Sequence, residues 1–176
     1  VILGPTASGK SELGVKLAKR FGGEIISADS RQVYTGLDIG SGKITEKDMG
    51  NVPHHLLSVA SPRKQFTVAQ YSRLVNKAIA KITRHGNTPF IVGGSPLYVY
   101  TVVDGWIIPE VKPNAKIRKQ LEKLTTEQLL KKLQKLDPRR AQTIEQKNPR
   151  RLIRALEIVM TTKKTVPPLQ KRPLPY

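Results

Sequence analysis

Residues 1–11 read Val1-Ile2-Leu3-Gly4-Pro5-Thr6-Ala7-Ser8-Gly9-Lys10-Ser11 and contain the complete phosphate-binding pattern G-x-x-x-x-G-K-S. The first three residues are aliphatic and predict the end of a buried strand. Residues 12–21 carry apolar side chains at helical spacing. The loop is therefore expected between a strand and a helix, where backbone amides and the helix N-terminus point at one anion. This stretch predicts a site for a phosphorylated ligand, without specifying ATP.

Four residues of the loop have a predicted role. Gly4 and Gly9 allow backbone angles and a close approach that a Cβ would forbid. Lys10 supplies a point charge to a diphosphate, and Ser11 supplies a hydroxyl to Mg²⁺. The predicted diphosphate-binding residues are Gly4, Pro5, Thr6, Ala7, Ser8, Gly9, Lys10 and Ser11. The alternative is an ordinary Gly/Ser turn that matches by accident. The inward face of the following helix is predicted to be Leu13, Leu17 and Phe21.

Composition narrows the class of protein. The chain has 176 residues and no cysteine, which excludes a disulfide framework, a zinc finger and a cysteine nucleophile. No apolar run approaches the length of a membrane span, so we expect no membrane partner. A cytoplasmic location is the default expectation, and we expect a monomer. Residue 1 is not Met and already lies within the predicted strand, which is typical of a fragment.

The net charge of +18 is distributed unevenly. Residues 1–108 carry +6, and the shorter segment 109–176 carries +12. A field of this size favours a polyanionic partner, and nucleic acid is the leading interpretation. A solvated lysine-rich face is the alternative.

A second buried strand is predicted at 24–28, and it ends at the polar cluster Asp29-Ser30-Arg31-Gln32. Ligands of open α/β sheets bind at the carboxyl ends of strands. Asp29 could therefore accept a hydrogen bond or a proton there. It could equally cap the next turn, and spacing alone leaves both interpretations open.

The middle of this part of the chain contains fewer signals. Residues 33–55 look irregular, and the pair His54-His55 is predicted to have a structural or substrate-loop role in preference to binding a metal. A short strand is predicted at 56–59. Thr67 is expected to cap a helix that runs to about residue 85. Its predicted inner residues are Ala69, Leu74, Ala78 and Ile82.

The strand predicted at 89–92 runs into Gly93-Gly94-Ser95. Many ATPases with this loop place a Mg²⁺-binding acid at the end of the corresponding strand. Its absence here argues against a standard ATPase, and it leaves small residues and a hydroxyl beside the phosphate. A short helix is predicted to start near Ser95 and to end at Asp104-Gly105.

Composition changes at 108–113, where we place a domain boundary. Two basic helices are predicted at 114–124 and 125–136, a short third helix begins at Asp137-Pro138, and Asn148-Pro149 starts a fourth. Arg150, Arg151 and Arg154 can share one side of that helix and favour phosphate binding over a solvated face. The proline-rich tail 164–176 is predicted to be extended or disordered.

Taken together, these motifs resemble the tRNA dimethylallyltransferase family, also called tRNA isopentenyltransferases. The resemblance follows chain order over almost the whole sequence. It rests on residues 4–11, 26–34, 53–56, 92–95 with Leu97-Tyr98, 137–144 and 148–157.

The resemblance implies transfer of a dimethylallyl group from its diphosphate to N6 of the adenine on the 3′ side of the anticodon. It implies that the loop holds dimethylallyl diphosphate with Mg²⁺, and that Asp29, Ser95 and Lys10 are the catalytic residues. The implied metal ligand is Ser11. The tRNA anticodon stem-loop is implied to contact Asp29, Ser30, Arg31, Gln32, Arg118, Arg150, Arg151, Leu152, Ile153 and Arg154.

The implied fold is α/β, a parallel sheet flanked by helices like that of the phosphate-binding-loop NTPases, with an all-helical basic insertion domain. Residues 1–108 form the incomplete core, 109–163 the tRNA-binding insertion, and 164–176 a tail that leads back to the core. Two differences from the family stand out. First, the family has Thr where this chain has Ser95, and in this chain Pro96 follows. Second, family members continue beyond the positions that match 174–176. The second difference implies an incomplete core sheet.

Three alternatives remain open at this point. A small-molecule or nucleotide kinase with the same loop would bind ATP, with the arginines at 150–154 as a lid. A prenyltransferase acting on free AMP would not require the +12 segment. A truncated RNA-binding remnant would have no turnover.

Overall fold

The computed structural model describes residues 1–109, 111–168, 170–171 and 173 and divides into two units. The first comprises Val1–Ile108 together with the strand Gln170–Lys171, and the second is Pro109–Leu169. Each unit has its own hydrophobic core. The end of the predicted tail, 174–176, lies outside the described residues.

A parallel sheet forms the centre of the first unit. Its strands are β1 (Ile2–Leu3), β2 (Gly23–Ser27), β3 (His54–His55) and β4 (Thr88–Gly93), in the order β1-β4-β2-β3. Every pairing in this sheet is parallel. The prediction of an α/β fold with a helix-flanked parallel sheet is confirmed.

Helices cover both faces of the sheet. Helix α1 (Lys10–Arg20) packs against Ile25 and Val92, and helices α3 (Val68–Arg84) and α4 (Pro96–Val103) pack against Ile26 and Ile91. Successive residues of a strand point to opposite faces, so each strand contributes to both cores.

The inward face of α1 differs from the predicted one. Gly14, Val15 and Ala18 are buried, whereas Leu13 and Phe21 are 48% and 56% exposed. Helix and sheet approach so closely that a Cβ at Gly14 would lie 2.9 Å from Cγ2 of Val92. Small residues therefore occupy this contact, and the prediction from the larger apolar residues was wrong.

The prediction of a strand at 56–59 was also wrong. The strand lies two residues earlier, at His54–His55, and Leu56 and Ser58 have left-handed backbone angles with φ of 63° and 54°. Such angles break a strand. A short helix, α2 (Glu46–Met49), interrupts the segment predicted as irregular and is capped by the side chain of Thr45.

Helix α3 begins as predicted. Oγ1 of Thr67 accepts a hydrogen bond from the Gln70 N–H at 3.2 Å, and Oε1 of Gln70 accepts one from the Thr67 N–H at 2.8 Å. This reciprocal capping box satisfies two amides that the helix start leaves unpaired. The buried residues of α3 are Tyr71, Val75, Ala78, Ile79 and Ile82. Only part of the predicted inner face is therefore correct.

The second unit consists of α5 (Ala115–Leu121), α6 (Thr126–Leu136), α7 (Pro138–Thr143) and α8 (Pro149–Thr162). A side chain caps each helix start, from Asn114, Thr125, Asp137 and Asn148 respectively. Asp137 is fully buried and also accepts from the Val166 N–H at 2.7 Å. It therefore joins α7 to the segment that follows α8.

Part of the predicted extended tail forms a strand. β6 (Gln170–Lys171) pairs antiparallel with β5 (Trp106–Ile107), so the chain returns to the first unit. None of the helices in the described ranges combines the length and apolar character that a bilayer crossing requires.

Candidate functional site

The phosphate-binding loop has the backbone that its sequence predicts. Gly9 adopts a left-handed conformation with φ of 75° and immediately precedes α1. Ala7 is also left-handed, with φ of 62°, a conformation that L-residues seldom adopt. A Cβ at Gly4 would lie 3.0 Å from Oγ of Ser8. The loop is exposed between a strand and a helix N-terminus, the arrangement that binds phosphate groups.

Lys10 lies beside this loop. Its Nζ donates to the carbonyl oxygen of Pro5 at 2.6 Å, which holds the ammonium over the loop. Gly94, in the turn after β4, faces the same side chain, and a Cβ there would lie 3.7 Å from Cε of Lys10. Glycine at position 94 therefore leaves space around the ammonium for an anion.

The carboxyl ends of β2 and β4 are in close contact. The Ala28 N–H donates to the Val92 carbonyl at 2.8 Å, and the Ser95 N–H donates to the Ala28 carbonyl at 3.1 Å. A Cβ at Gly93 would lie only 2.2 Å from the Ala28 oxygen. Only glycine allows this approach, which brings the turn after β4 against the turn after β2.

The Ser95 side chain links the two turns. Its Oγ accepts a hydrogen bond from the Ser30 N–H at 3.0 Å and makes no capping bond to its own helix. Pro96 occupies the first position of α4, where the absence of an N–H has no cost. The departure from the family pattern at Ser95-Pro96 is therefore accommodated without loss of the helix start.

Asp29 caps the turn that follows β2. Its Oδ1 accepts hydrogen bonds from the Arg31 N–H at 2.8 Å and the Gln32 N–H at 3.4 Å. Among the described residues, hydrogen bonds to this carboxylate reach Oδ1 alone, which leaves Oδ2 as an acceptor. The two interpretations of Asp29 that the sequence left open are thus compatible, because the turn uses one oxygen.

Tyr98, which sequence analysis assigned no role, lies behind this turn. It is buried and stacks on Tyr71 with ring centroids 3.9 Å apart. Burial, together with the neighbouring Tyr34 and Asp29, raises the pKa of Tyr98 to about 12. The phenol is therefore neutral. The available signals were its place beside Leu97 in the family resemblance and its position three residues after Ser95, and a core role explains both equally well.

The two histidines of β3 have structural partners. His55 Nε2 lies 2.5 Å from Oε2 of Glu24, and His54 Nδ1 lies 2.8 Å from the Val52 carbonyl. Burial lowers the pKa of His54. Hydrogen bonds from Asn87 and His55 lower the pKa of Glu24. No group of three or more His, Cys, Asp or Glu in the described part of the chain could hold a metal.

The donor set suits Mg²⁺ bound mainly through a diphosphate. Ser11 is exposed in the first turn of α1, next to Lys10. Mg²⁺ usually keeps several waters and takes few protein ligands when substrate phosphates are present. The exposed Ser11 hydroxyl could supply one protein ligand to such an ion.

Exposure differs among the predicted tRNA-binding residues of α8. Arg150 and Arg151 are exposed, and Nη1 of Arg151 lies 3.3 Å from Oε2 of the equally exposed Glu145. Leu152 is fully buried and Ile153 is partly buried in the core of the helical unit. Of these four, only the two arginines present side chains to solvent.

Arg118 and Arg154 instead converge on Glu157, whose side chain is fully buried. Arg118 binds the carboxylate through Nε at 2.8 Å and Nη2 at 2.9 Å, and Arg154 through Nη1 at 2.6 Å. The Asn114 N–H adds a bond of 2.7 Å, and Arg154 Nη2 donates to the Val111 carbonyl. We call Arg118, Arg154 and Glu157 the Glu157 cluster.

The Glu157 cluster combines two positive charges with one negative charge. Burial by itself would raise the pKa of Glu157, but hydrogen bonds from Arg118, Asn114 and Arg154 outweigh it and lower the pKa to about 2. Sequence analysis did not single out Glu157. The only signal was an acidic residue on the apolar side of a basic helix, which spacing does not distinguish from an exposed one.

Comparison with known proteins gives a consistent result. The family model described as IPP transferase matches residues 32–175. The tRNA dimethylallyltransferase of Anoxybacillus flavithermus is 42% identical over 179 residues, which cover 100% of this chain and 58% of the relative. That of Roseiflexus is 43% identical and is covered to 59%.

Solved structures agree with this comparison. The full-length tRNA isopentenylpyrophosphate transferase of Bacillus halodurans is 44% identical with a TM-score of 0.61, covering 92% of this chain and 55% of that one. A eukaryotic dimethylallyltransferase acting on tRNA is 31% identical with a TM-score of 0.75, covering 93% and 42%. The chain thus spans about half the length of the proteins it matches.

Proposed function

The chain belongs to the IPP transferase family, and from this premise we propose that its protein transfers a dimethylallyl group from dimethylallyl diphosphate to N6 of the adenine 3′ of the anticodon in tRNA. The loop Gly4–Ser11 holds the diphosphate. Asp29 faces the acceptor amine.

One observation carries this assignment beyond family membership. The Gly93-Gly94-Ser95 turn contacts both halves of the site, since Gly94 borders Lys10 and Ser95 accepts a hydrogen bond from Ser30, next to Asp29. The same turn thus borders the loop proposed for the diphosphate and supports the turn that carries the proposed proton acceptor. Displacement of diphosphate by an amine is favoured when both functions are held close together.

The proposed reaction is a substitution at the allylic carbon C1. The C1–O bond of the donor breaks, diphosphate leaves with the electron pair, and the lone pair of N6 forms the new C–N bond. N6 then carries positive charge and loses one proton. Oδ2 of Asp29 accepts that proton, or the hydrogen bond that develops toward it, and so lowers the barrier.

Lys10 and the loop amides act on the leaving group. Charge accumulates on the bridging oxygen as the C1–O bond breaks, and donors already in place stabilise it without reorganisation. Mg²⁺, held by the diphosphate and the Ser11 hydroxyl, would neutralise further negative charge. Ser95 has a positioning task, because its hydrogen bond to the Ser30 N–H holds the turn that carries Asp29.

The helical unit, residues 109–169, is proposed as an insertion that grips the anticodon stem-loop. Its net positive charge suits a phosphate backbone, and Arg150 and Arg151 are exposed on α8. Double-stranded RNA stems are recognised largely through shape and backbone, which such a surface supports. The target base must be unstacked to reach Asp29.

The rival enzymes explain fewer features. A kinase of this type usually has an acid after the strand that here ends in Gly93-Gly94-Ser95. An enzyme for free AMP has no use for a basic helical unit. Family membership favours neither.

The test is transfer of labelled dimethylallyl to an anticodon stem-loop carrying the target adenine, using the protein at the full length that its gene encodes. Free AMP and ATP are tested in parallel. We expect labelled RNA and released diphosphate in equal amounts, with no label on AMP. Phosphoryl transfer from ATP without labelled RNA would overturn the proposal in favour of a kinase.

A further inference from the structure

Helix α3 has a basic face that is unrelated to the phosphate-binding loop. Arg73, Lys77, Lys81 and Arg84 follow one another at spacings of four, four and three residues and are all exposed. At 3.6 residues per turn they fall within an arc of about 80° and span about 16 Å of the helix axis. The helix contains no acidic residue.

This face continues into a groove at the start of the helix. The groove has a volume of about 370 Å³. Its lining includes three basic residues, Lys64, Arg73 and Lys77, and three apolar residues, Val59, Phe66 and Leu74. Within the described ranges, no carboxylate pairs with Lys64, Lys77 or Lys81. We call the groove and the four basic residues together the α3 surface.

Hydrogen bonds connect the groove to the turn that carries Asp29. The Ser58 N–H donates to the Gln32 carbonyl at 3.1 Å, and the Ala60 N–H donates to the Val33 carbonyl at 2.9 Å. The Phe66 N–H donates to the Tyr34 hydroxyl at 3.1 Å. The groove therefore lies beside the segment 29–35 in the same unit, and the basic face leads away from it along α3.

We propose that the α3 surface is a second RNA-binding surface, which holds the phosphate backbone of the substrate RNA where it leaves the target adenine. The inference rests on the proposed function for the identity of the RNA. Lys64, Lys77 and Lys81, which pair with no carboxylate of the described ranges, suit a chain of phosphates, because each neutralised phosphate releases a counterion. The apolar part of the groove suits an unstacked base, since aromatic side chains stack on bases of any sequence.

The alternative interpretations predict a different arrangement. A solvated face commonly alternates lysine with acids, as in the Lys16–Glu12 pair on α1 and the Glu46-Lys47-Asp48 run on α2. Within the described ranges, Lys64, Lys77 and Lys81 have no such acidic partner, and Lys64 and Lys77 line a groove that a merely soluble face does not need. An anionic membrane is the other possible polyanion, and the experiment tests it separately.

The variant that tests the proposal is Lys77→Ala/Lys81→Ala, and its matched control is Lys16→Ala/Lys47→Ala. Both pairs remove two exposed positive charges from the same unit. Affinity for the anticodon stem-loop is measured over a range of salt concentrations with the full-length protein, and thermal unfolding verifies that each variant is folded. In the test variant we expect the slope of log Kd against log salt to fall by about 0.7–0.9 per lost phosphate contact.

Turnover at saturating RNA is expected to stay unchanged in the test variant, while KM for RNA rises. An unchanged salt slope, or a change equal to that of the control, overturns the inference. The inference is also overturned if the test variant loses binding to phosphatidylserine vesicles but keeps its RNA binding, because the surface would then bind a membrane. If no prenylated RNA forms but the slope still falls, the proposed function fails and the RNA surface stands.

Discussion

Oγ of Ser95 accepts a hydrogen bond from the backbone N–H of Ser30 at 3.0 Å, across a sequence separation of 65 residues. Ser95 follows the strand whose end borders Lys10, and Ser30 follows Asp29. The bond therefore joins the turn beside Lys10, which we propose acts on the leaving group, to the turn that carries Asp29, the proposed proton acceptor.

Substitution Ser95→Ala removes the acceptor for the Ser30 N–H and loosens the turn that positions Asp29. A misplacement of about 1 Å in such a site costs on the order of 10²-fold in rate, so we expect a loss of about 10- to 100-fold in kcat. Thr at this position retains the hydroxyl and should restore most of the activity. Rates for Ala and Thr variants that are equally low would show that the hydroxyl has no such role.

Substitution Lys10→Ala should abolish measurable prenyl transfer and leave RNA affinity nearly unchanged. The Pro5 carbonyl holds the ammonium at the loop, where we propose that it acts on the diphosphate. Removal of one preorganised charge-stabilising donor typically costs about 10²–10³-fold in kcat. Lys16→Ala, on the exposed side of the same helix, is the control. If RNA binding is lost while prenyl transfer persists, Lys10 acts on the RNA and not on the diphosphate.

The exposed arginines of α8 should act on RNA affinity. Arg150→Ala and Arg151→Ala are each expected to weaken stem-loop binding and to lower the salt slope by about 0.7–0.9. Arg154→Ala should in addition destabilise the fold, because Arg154 pairs with the buried Glu157. Binding isotherms at several salt concentrations, with unfolding curves for each variant, separate the two effects. If the salt slope is unchanged in both variants, Arg150 and Arg151 belong to a solvated face and do not contact RNA phosphates.

The substitution Glu157→Gln tests whether the Glu157 cluster stabilises the fold. Removal of one partner from a buried ion pair typically costs about 3–5 kcal/mol in the free energy of unfolding. Glu145→Gln breaks only the exposed pair with Arg151 and should cost under about 1 kcal/mol. Chemical denaturation at neutral pH measures both. Equal losses in the two variants would contradict a structural role for the cluster.

The same carboxylate predicts a pH dependence. The folded pKa of Glu157 is about 2, below its ordinary value of 4.5. The unfolded state therefore binds the proton more tightly, and stability falls as the pH drops from about 4.5 toward 2. The difference in unfolding free energy between wild type and Glu157→Gln should shrink over this window. A difference that stays constant from neutral pH to pH 3 would contradict the assigned pKa.

Local patterns predicted the loop, the Thr67 cap and the helix starts at Pro138 and Pro149 well, because each of these depends on residues within a few positions of one another. The inward face of α1 was wrong because packing against the sheet favoured Gly14 over larger residues. The strand at His54–His55 was missed because left-handed Leu56 and Ser58 ended it early, and neither residue type indicates such angles.

Long-range partners in the candidate site could not be predicted in this way. Asp29 and Ser95 were identified by their position at strand ends, but the bond from Ser30 to Ser95 depends on the order of strands in the sheet. The pairing of Arg118 and Arg154 with Glu157 likewise depends on how α5 and α8 pack. The family resemblance assigned Arg118 to the RNA surface, and helical spacing together with that resemblance assigned Arg154.

In the proposed reaction, the Asp29 carboxylate takes up the charge that develops on N6 while the loop holds the diphosphate. The substitution that tests this role most directly is Asp29→Asn, which keeps the size and one acceptor but loses the negative charge. We expect turnover to fall by about 10²–10⁴-fold, the usual contribution of a positioned acid–base group, with affinity for dimethylallyl diphosphate unchanged. Turnover within a few-fold of wild type, or loss of donor binding in step with turnover, would contradict the account.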